Sequence, residues 1–377
     1  MAGAILAVLA TAVLAISQAV LGLFSVYHHA ANVNGSLFVR DGDSTTYVST
    51  GDIDAMWLRD SSVQAMSAMH NRSLVRGVIL RQERLIAIDP YANAFYRNYT
   101  VAERKFEVDS LCYPVRLMER YEGATHDRSL FDDRAYGMLH KILITLSVER
   151  HHRSESQYRR NEHPIADGIG LIWSAYRPSD DPQGYNYNIP ENMFAAVTLR
   201  VMAHIFTTYY HDRPEADRAN DIADGIQEAI AQHAVFSTTF GRIYAYEIDG
   251  LGHAKFMDDA NMPSLLSIPL LEYAYDPVVY ASTRKFILSP ADPYYFSGRF
   301  AAGIGSPHTP DRYVWPMSLV VQYRTANTHL ERQHVLRELA MSGAGDGALH
   351  ESFDVNDPRK FTRQRFGWVN ALFQLLL

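Results

Sequence analysis

Three short segments of the sequence gather side chains able to do chemistry. In 51–64, GDIDAMWLRDSSVQ, the residues Trp57, Arg59 and Asp60 fall within four positions at a helix entry. Arg and Asp at that spacing can clamp adjacent hydroxyls through charge-assisted hydrogen bonds, with the indole as a wall. The plainer reading is a structural ion pair. In 170–181, GLIWSAYRPSDD, Pro178 disfavours helical geometry at Arg177. Ser179, Asp180 and Asp181 are therefore expected on a loop. Adjacent carboxylates repel, which raises the pKa of one of them, and a carboxyl still protonated near neutral pH suits a general acid. In 342–354, SGAGDGALHESFD, three glycines predict a pliable loop that delivers His350 and Glu351 just ahead of the last helical stretch. A Glu so placed can hold an attacking water. Taken singly, the second and third segments also read as solvated surface acids.

The elements that must position these residues are mostly helices. Apolar residues recur at helical spacing over Ser73 to Ile88, Tyr136 to Arg150 and Asn192 to Tyr210. The clearest strand-like alternation is Arg242 to Ile248, read as a hairpin or an arm between helices. Six times a polar or aromatic motif stands directly before a helical run. The anchors are residues 60, 109, 191, 261, 315 and 368, at intervals of 49, 82, 70, 54 and 53. About fifty residues is the length of two helices of roughly 11–12 residues with their connections. The pattern predicts six helical hairpins in a toroid, an (α/α)6 barrel with chemistry at the N-terminal loops of its inner helices. Asp, Asn or Ser at a helix start is often only a cap; six such starts that include Trp and Arg exceed that explanation.

Composition narrows the function classes. The 377 residues are 47% hydrophobic and 20% charged, with a net charge of −7 and no basic cluster. Nucleic acid is a poor partner for such a surface. The chain holds 23 Tyr, 17 Phe and 4 Trp, whose rings can stack on sugars, although most must serve the core. A single cysteine, Cys112, allows no intrachain disulfide. Sixteen histidines include no metal-binding pair of recognised spacing, so no metal or cofactor is expected. Residues 2–24 carry no charge and fit three readings: an export signal, a membrane anchor or a first buried helix. Secretion or anchoring and a cytoplasmic location are equally compatible with them. No linker composition divides the remainder, so 1–30 is read as an apolar lead and 31–377 as one catalytic domain.

Eight motifs in order resemble glycoside hydrolase family 125: GDIDAMWLRDSS, FEVDSLCYP, GLIWSAYRPSDD, NIPENMF, MDDANMPSLL, FSGRFAAGIGSPHT, VWPMSL and LHESFD. The resemblance spans about Thr50 to Leu377 and departs only at the apolar N-terminus. It implies an (α/α)6 barrel and an exo-acting α-1,6-mannosidase that inverts the anomeric centre without a metal. The general acid then falls on Asp180 or Asp181 and the general base on Glu351. Trp57, Arg59 and Asp60 line the pocket for a terminal mannose, with Asp109, Asn261, His308 and Arg363 as further candidates, and the partner is a mannose-containing oligosaccharide or glycan. Two other classes fit the same layout. One is another helical-barrel carbohydrate enzyme, an α-glucosidase or a lyase. The other is a sugar-binding barrel that has lost its RPSDD or LHESFD carboxylates, yet both are present here.

Overall fold

The computed structural model describes residues 38–159, 163–345 and 347–375. The apolar run 2–24 lies outside them. No helix among the described residues is long and apolar enough to cross a membrane.

The described chain forms ten α-helices: α1 Leu58–Ser67, α2 Arg72–Ile88, α3 Val108–Thr125, α4 Asp133–Glu149, α5 Ile189–Ile205, α6 Arg213–His233, α7 Pro277–Ile287, α8 Pro316–Thr325, α9 His329–Ser342 and α10 Gly367–Gln374. Their burial separates two kinds. In α6 the buried residues Ala216, Ala219, Ile222, Ala223, Ile226, Ala229 and Ile230 repeat every three or four positions, the stripe of a helix with one face to solvent. In α1 the first eight residues are all buried, and in α10 so are Gly367 to Phe373. Helices buried all round belong to an interior layer. Interior helices pack in sequence, α8 on α10, α10 on α1, α1 on α3 and α3 on α5. Around them, α2 packs on α4, α6 on α5 and α9 on α8.

Capping divides the helices in the same way. The outer helices α2, α4, α6, α7 and α9 each start with a side-chain cap, from Asn71, Asp132, Asp212, Asp276 and Thr328. Of the interior helices only α5 has one, from Asn188. The others begin at Trp57, Glu107, Trp315 and Phe366 without a side-chain cap. The polar motifs at these starts are therefore not ordinary caps, whose side chains would satisfy the helix's own N–H groups.

Three expectations need correction. The motif around Asn261 opens no α-helix; residues 262–271 run as turns with one short 3-10 turn at Ile268–Leu270. Pro263 and Pro269 remove donors there, and the Asp258 carboxylate instead accepts from the backbone N–H groups of Leu265 and Leu266 at 2.8 and 2.9 Å. The stretch 242–248, read as a hairpin or an arm, does not pair with itself and enters two different sheets. Gly241–Tyr244 pairs with Val235–Thr238, whereas Glu247–Ile248 pairs with Ala254–Lys255 and Tyr187–Asn188. Finally, Glu351 stands at the start of a hairpin rather than in a pliable loop: Ser352–Asp354 pairs with both Tyr313–Val314 and Asp357–Thr362.

One device fastens two loops to the interior helices. Asn192, fourth residue of α5, accepts from the Ile172 N–H at 2.7 Å and donates to the Ile172 carbonyl at 3.0 Å. Asn370, fourth residue of α10, accepts from the Leu349 N–H at 3.1 Å and donates to its carbonyl at 2.7 Å. Each amide also donates to the carbonyl four residues back, on Asn188 and Phe366. The first latch holds the lead-in to RPSDD, the second the lead-in to LHESFD. Asn370→Ala leaves the buried groups of Leu349 without partners, at a cost of about 1–3 kcal/mol for each one left unpaired. Denaturant unfolding should show that loss, and Asn192→Ala should match it.

Candidate active site

The segment 176–182 is a tight hairpin with a bridge between Tyr176 and Pro182. The Asp180 N–H donates to the Arg177 carbonyl at 2.8 Å, and the Arg177 N–H donates to the Asp181 carbonyl at 2.9 Å. Asp180 takes a left-handed φ of 64°, a conformation that Asp tolerates better than most residues. The turn sends the two neighbouring carboxylates in different directions. Asp180 reaches Arg59 Nη2 at 3.3 Å and Asn93 Nδ2 at 3.2 Å. Asp181 reaches Arg177 Nη2 at 3.5 Å and His308 Nδ1 at 3.1 Å.

This corrects the expectation of mutual repulsion within the pair. Burial opposes the charge of Asp180, but Arg59, a hydrogen bond from the Glu107 carboxyl, Lys105 and His308 together hold its pKa below the usual carboxylate value. The group raised well above its usual value is Glu107, through burial and then the Asp180 charge.

Arg59 is the centre of this cluster. Its guanidinium is buried and meets Glu107 at 2.9 Å, Asp180 at 3.3 Å, Asp109 at 3.4 Å and Asp60 at 3.5 Å. The Trp368 ring lies beneath it at 4.7 Å. Burial works against the Arg59 charge, yet Glu107, Asp109, Asp180 and Asp60 outweigh it. Four carboxyls around one guanidinium, with Lys105 and His308 also near Asp180, favour the protonated form of the most buried of them. Burial lifts Asp109 to about 6 against the pull of Arg59. It also raises Asp60, which accepts from the Thr50 hydroxyl at 2.6 Å.

Above this floor is a cavity of about 260 Å³. Trp57, Trp315 and Phe366, the starts of α1, α8 and α10, are among its walls. Asp180 and Glu351 both line it. Glu351 is held by its backbone, whose N–H donates to the Thr362 carbonyl at 3.3 Å. Its neighbour His350 turns away to stack on Phe361, with centroids 3.6 Å apart. Burial raises the Glu351 pKa, while Arg363 at 3.8 Å pulls it back. Arg363 also pairs with Asp52 at 2.6 Å and donates to the Thr50 carbonyl at 2.8 Å. It thereby stitches the first motif to the last, beside a bridge from Gly51 to Phe366.

Of the residues singled out in the sequence, Trp57, Arg59, Asp60, Asn261, His308 and Arg363 line this cavity with the two acids. Asp109 lies behind it against Arg59, and Asp181 stands at its edge through His308. Sequence reasoning passed over Glu107, Asn93, Lys105 and Trp368. Glu107 and Trp368 stood inside recognised helix-start motifs and carried that signal. Asn93 and Lys105 sit on connecting segments with none.

A small cavity with aromatic walls and two acids in its lining suits a ligand that is polar at its edges and flat on its faces, as a sugar ring is. Comparison with known proteins carries this further. The family model of the metal-independent alpha-mannosidases (GH125) matches residues 23–100 and 96–377. The meiotically up-regulated gene 157 protein of Schizosaccharomyces pombe is 35% identical over 88% of this chain and 76% of its own length. A Streptococcus pneumoniae structure from the metal-independent α-mannosidases, a non-productive substrate complex with α-1,6-mannobiose, is 36% identical with a TM-score of 0.88, covering 94% of this chain and 93% of that one. The chain belongs to glycoside hydrolase family 125. The glucoamylase of Saccharomycopsis fibuligera shares the fold at a TM-score of 0.62 and 11% identity, over 96% of this chain and 94% of that one.

Arg363→Gln should raise the pKa of Glu351 further, by roughly 1 pH unit, because a cation that favours the carboxylate is gone. NMR titration of carboxyl-labelled Glu351 measures it, and an unchanged midpoint would refute the stated cause.

Proposed function

We propose that this chain hydrolyses a terminal α-1,6-linked mannose from an oligosaccharide with inversion, using Asp180 as general acid and Glu351 as general base. The observation that carries the reading is that these two acids, remote in sequence, line one cavity. Asp180 is preferred to Asp181 because Asp181 is turned to Arg177 and His308. The cavity lies just below the roughly 300–1,000 Å³ of ordinary small-ligand sites, which favours one sugar ring over a chain threaded through. That is the requirement of exo action. The solved relative with α-1,6-mannobiose supports the choice of sugar and linkage.

In this mechanism Asp180 protonates the glycosidic oxygen while Glu351 removes a proton from a water on the opposite ring face. Inverting enzymes keep these carboxyls roughly 6.5–9.5 Å apart to admit that water. The buried, raised Glu351 is a stronger base than an ordinary carboxylate. Residues 31–377 act as one catalytic domain. The interior helices close into a ring of six positions, with 258–271 filling the place between α5 and α8.

Proton NMR of α-1,6-mannobiose hydrolysis should show β-mannose as the first product, and α-mannose would refute inversion. Glu351→Gln should lose about 10²–10⁴-fold in kcat while still binding the disaccharide. The acid limb of wild-type kcat/KM should lie above pH 4.5, the ordinary Glu value from which Glu351 is raised, because the base works only when deprotonated.

A further inference from the structure

The mechanism leaves one group unexplained. Glu107 is 1% exposed and lies beneath Asp180 at the start of α3. Its Oε2 accepts from Arg59 Nη1 at 2.9 Å and from the Ser110 hydroxyl at 2.8 Å. No N–H or hydroxyl donor reaches its Oε1. Glu107 and Asp180 meet the two terminal nitrogens of one guanidinium, Arg59 Nη1 at 2.9 Å and Nη2 at 3.3 Å, which brings their carboxyls side by side. Two carboxyl groups can share a hydrogen bond only if one of them carries a proton.

We infer that Glu107 is a positioning residue that stores the catalytic proton and passes it to Asp180 when a sugar occupies the pocket. This rests on the assignment of Asp180 as the acid. In the empty pocket Asp180 keeps the charge, because Arg59, Asn93 and partial exposure to water stabilise it. The other charged groups facing the pair are Asp60 from α1, Asp109 from α3, Lys105 and His308. A sugar ring expels the water around Asp180, so its charge becomes harder to sustain. The shared proton then moves from Glu107 to Asp180, leaving Glu107 ionised against Arg59 and Ser110. Asp180 gives that proton to the departing oxygen as the glycosidic bond breaks. Glu351 meanwhile holds the proton taken from water. It returns this proton to solvent, and the pair regains one from solvent, so the net reaction is addition of water across the bond.

Glu107→Gln keeps a donor beside Asp180 but has no proton to release. Asp180 must then take its proton from bulk solvent against a low affinity. The alkaline limb of kcat/KM on α-1,6-mannobiose should move to lower pH by about 1 pH unit or more, with KM little changed. Glu107→Asp should restore part of that shift. α-Mannosyl fluoride, whose leaving group needs no protonation, should be turned over at near the wild-type rate. Equal loss on both substrates, or a profile of wild-type shape scaled down, marks a packing role and overturns the proposal. Ser110→Ala offers a second variant, because removing a donor to ionised Glu107 should move the alkaline limb to higher pH; an unmoved limb overturns the proposal. Asp180→Asn tests the underlying assignment separately. If it is active on mannobiose, the acid is elsewhere, whatever Glu107 does.

Discussion

One buried guanidinium among four carboxylates is the constraint on which the site depends. Removing ions from water is expensive, and an unpaired partner left behind is more so. Arg59 therefore fixes the relative positions of everything it touches: α1 through Asp60, α3 through Glu107 and Asp109, and the 176–182 hairpin through Asp180. The charge imbalance also favours the protonated form of the most buried carboxyl. The gathering of several buried carboxyls around one cation is thus a property of the fold itself.

A second arginine completes the arrangement. Arg177 lies near Asp181, Glu247 and Asp259 at 3.5, 3.7 and 3.9 Å. The turn between the two networks separates adjacent aspartates that would otherwise repel, one to each cation. Within that turn Asp180 takes the left-handed backbone, held by the bonds between Arg177 and its turn partners. The absence of side-chain caps at four interior helix starts follows the same logic. Those positions carry Trp57, Glu107, Trp315 and Phe366, residues that serve the cavity or the cluster below it rather than their own helix ends.

Much of this was legible in the sequence, because helical periodicity and the motifs at helix starts are local signals. The helices over 72–88 and 133–149 follow their apolar repeats closely. Five of the six motifs do open interior helices, and four of the six anchors, Asp60, Asn261, Trp315 and Trp368, line the cavity. What escaped was decided by tertiary neighbours. No local rule reveals that Asp180 and Asp181 face different arginines, so repulsion was the natural inference. Asn93 joins the site from a connection that has no pattern of its own. The stretch after Asn261 resembled a helix start until the prolines and the Asp258 carboxylate claimed its backbone. Glu107 looked like a member of a motif, and only its contact with Asp180 gives it a distinct part.

The two asparagine latches have a wider bearing. Each acid-bearing loop is tethered to the helix that follows it, α5 for one and α10 for the other. The separation of Asp180 from Glu351 is consequently tied to how α10, α1, α3 and α5 stack side by side. Ile53, an exposed residue of the cavity wall, has no part in either latch. A substitution at such a wall position leaves both latches in place.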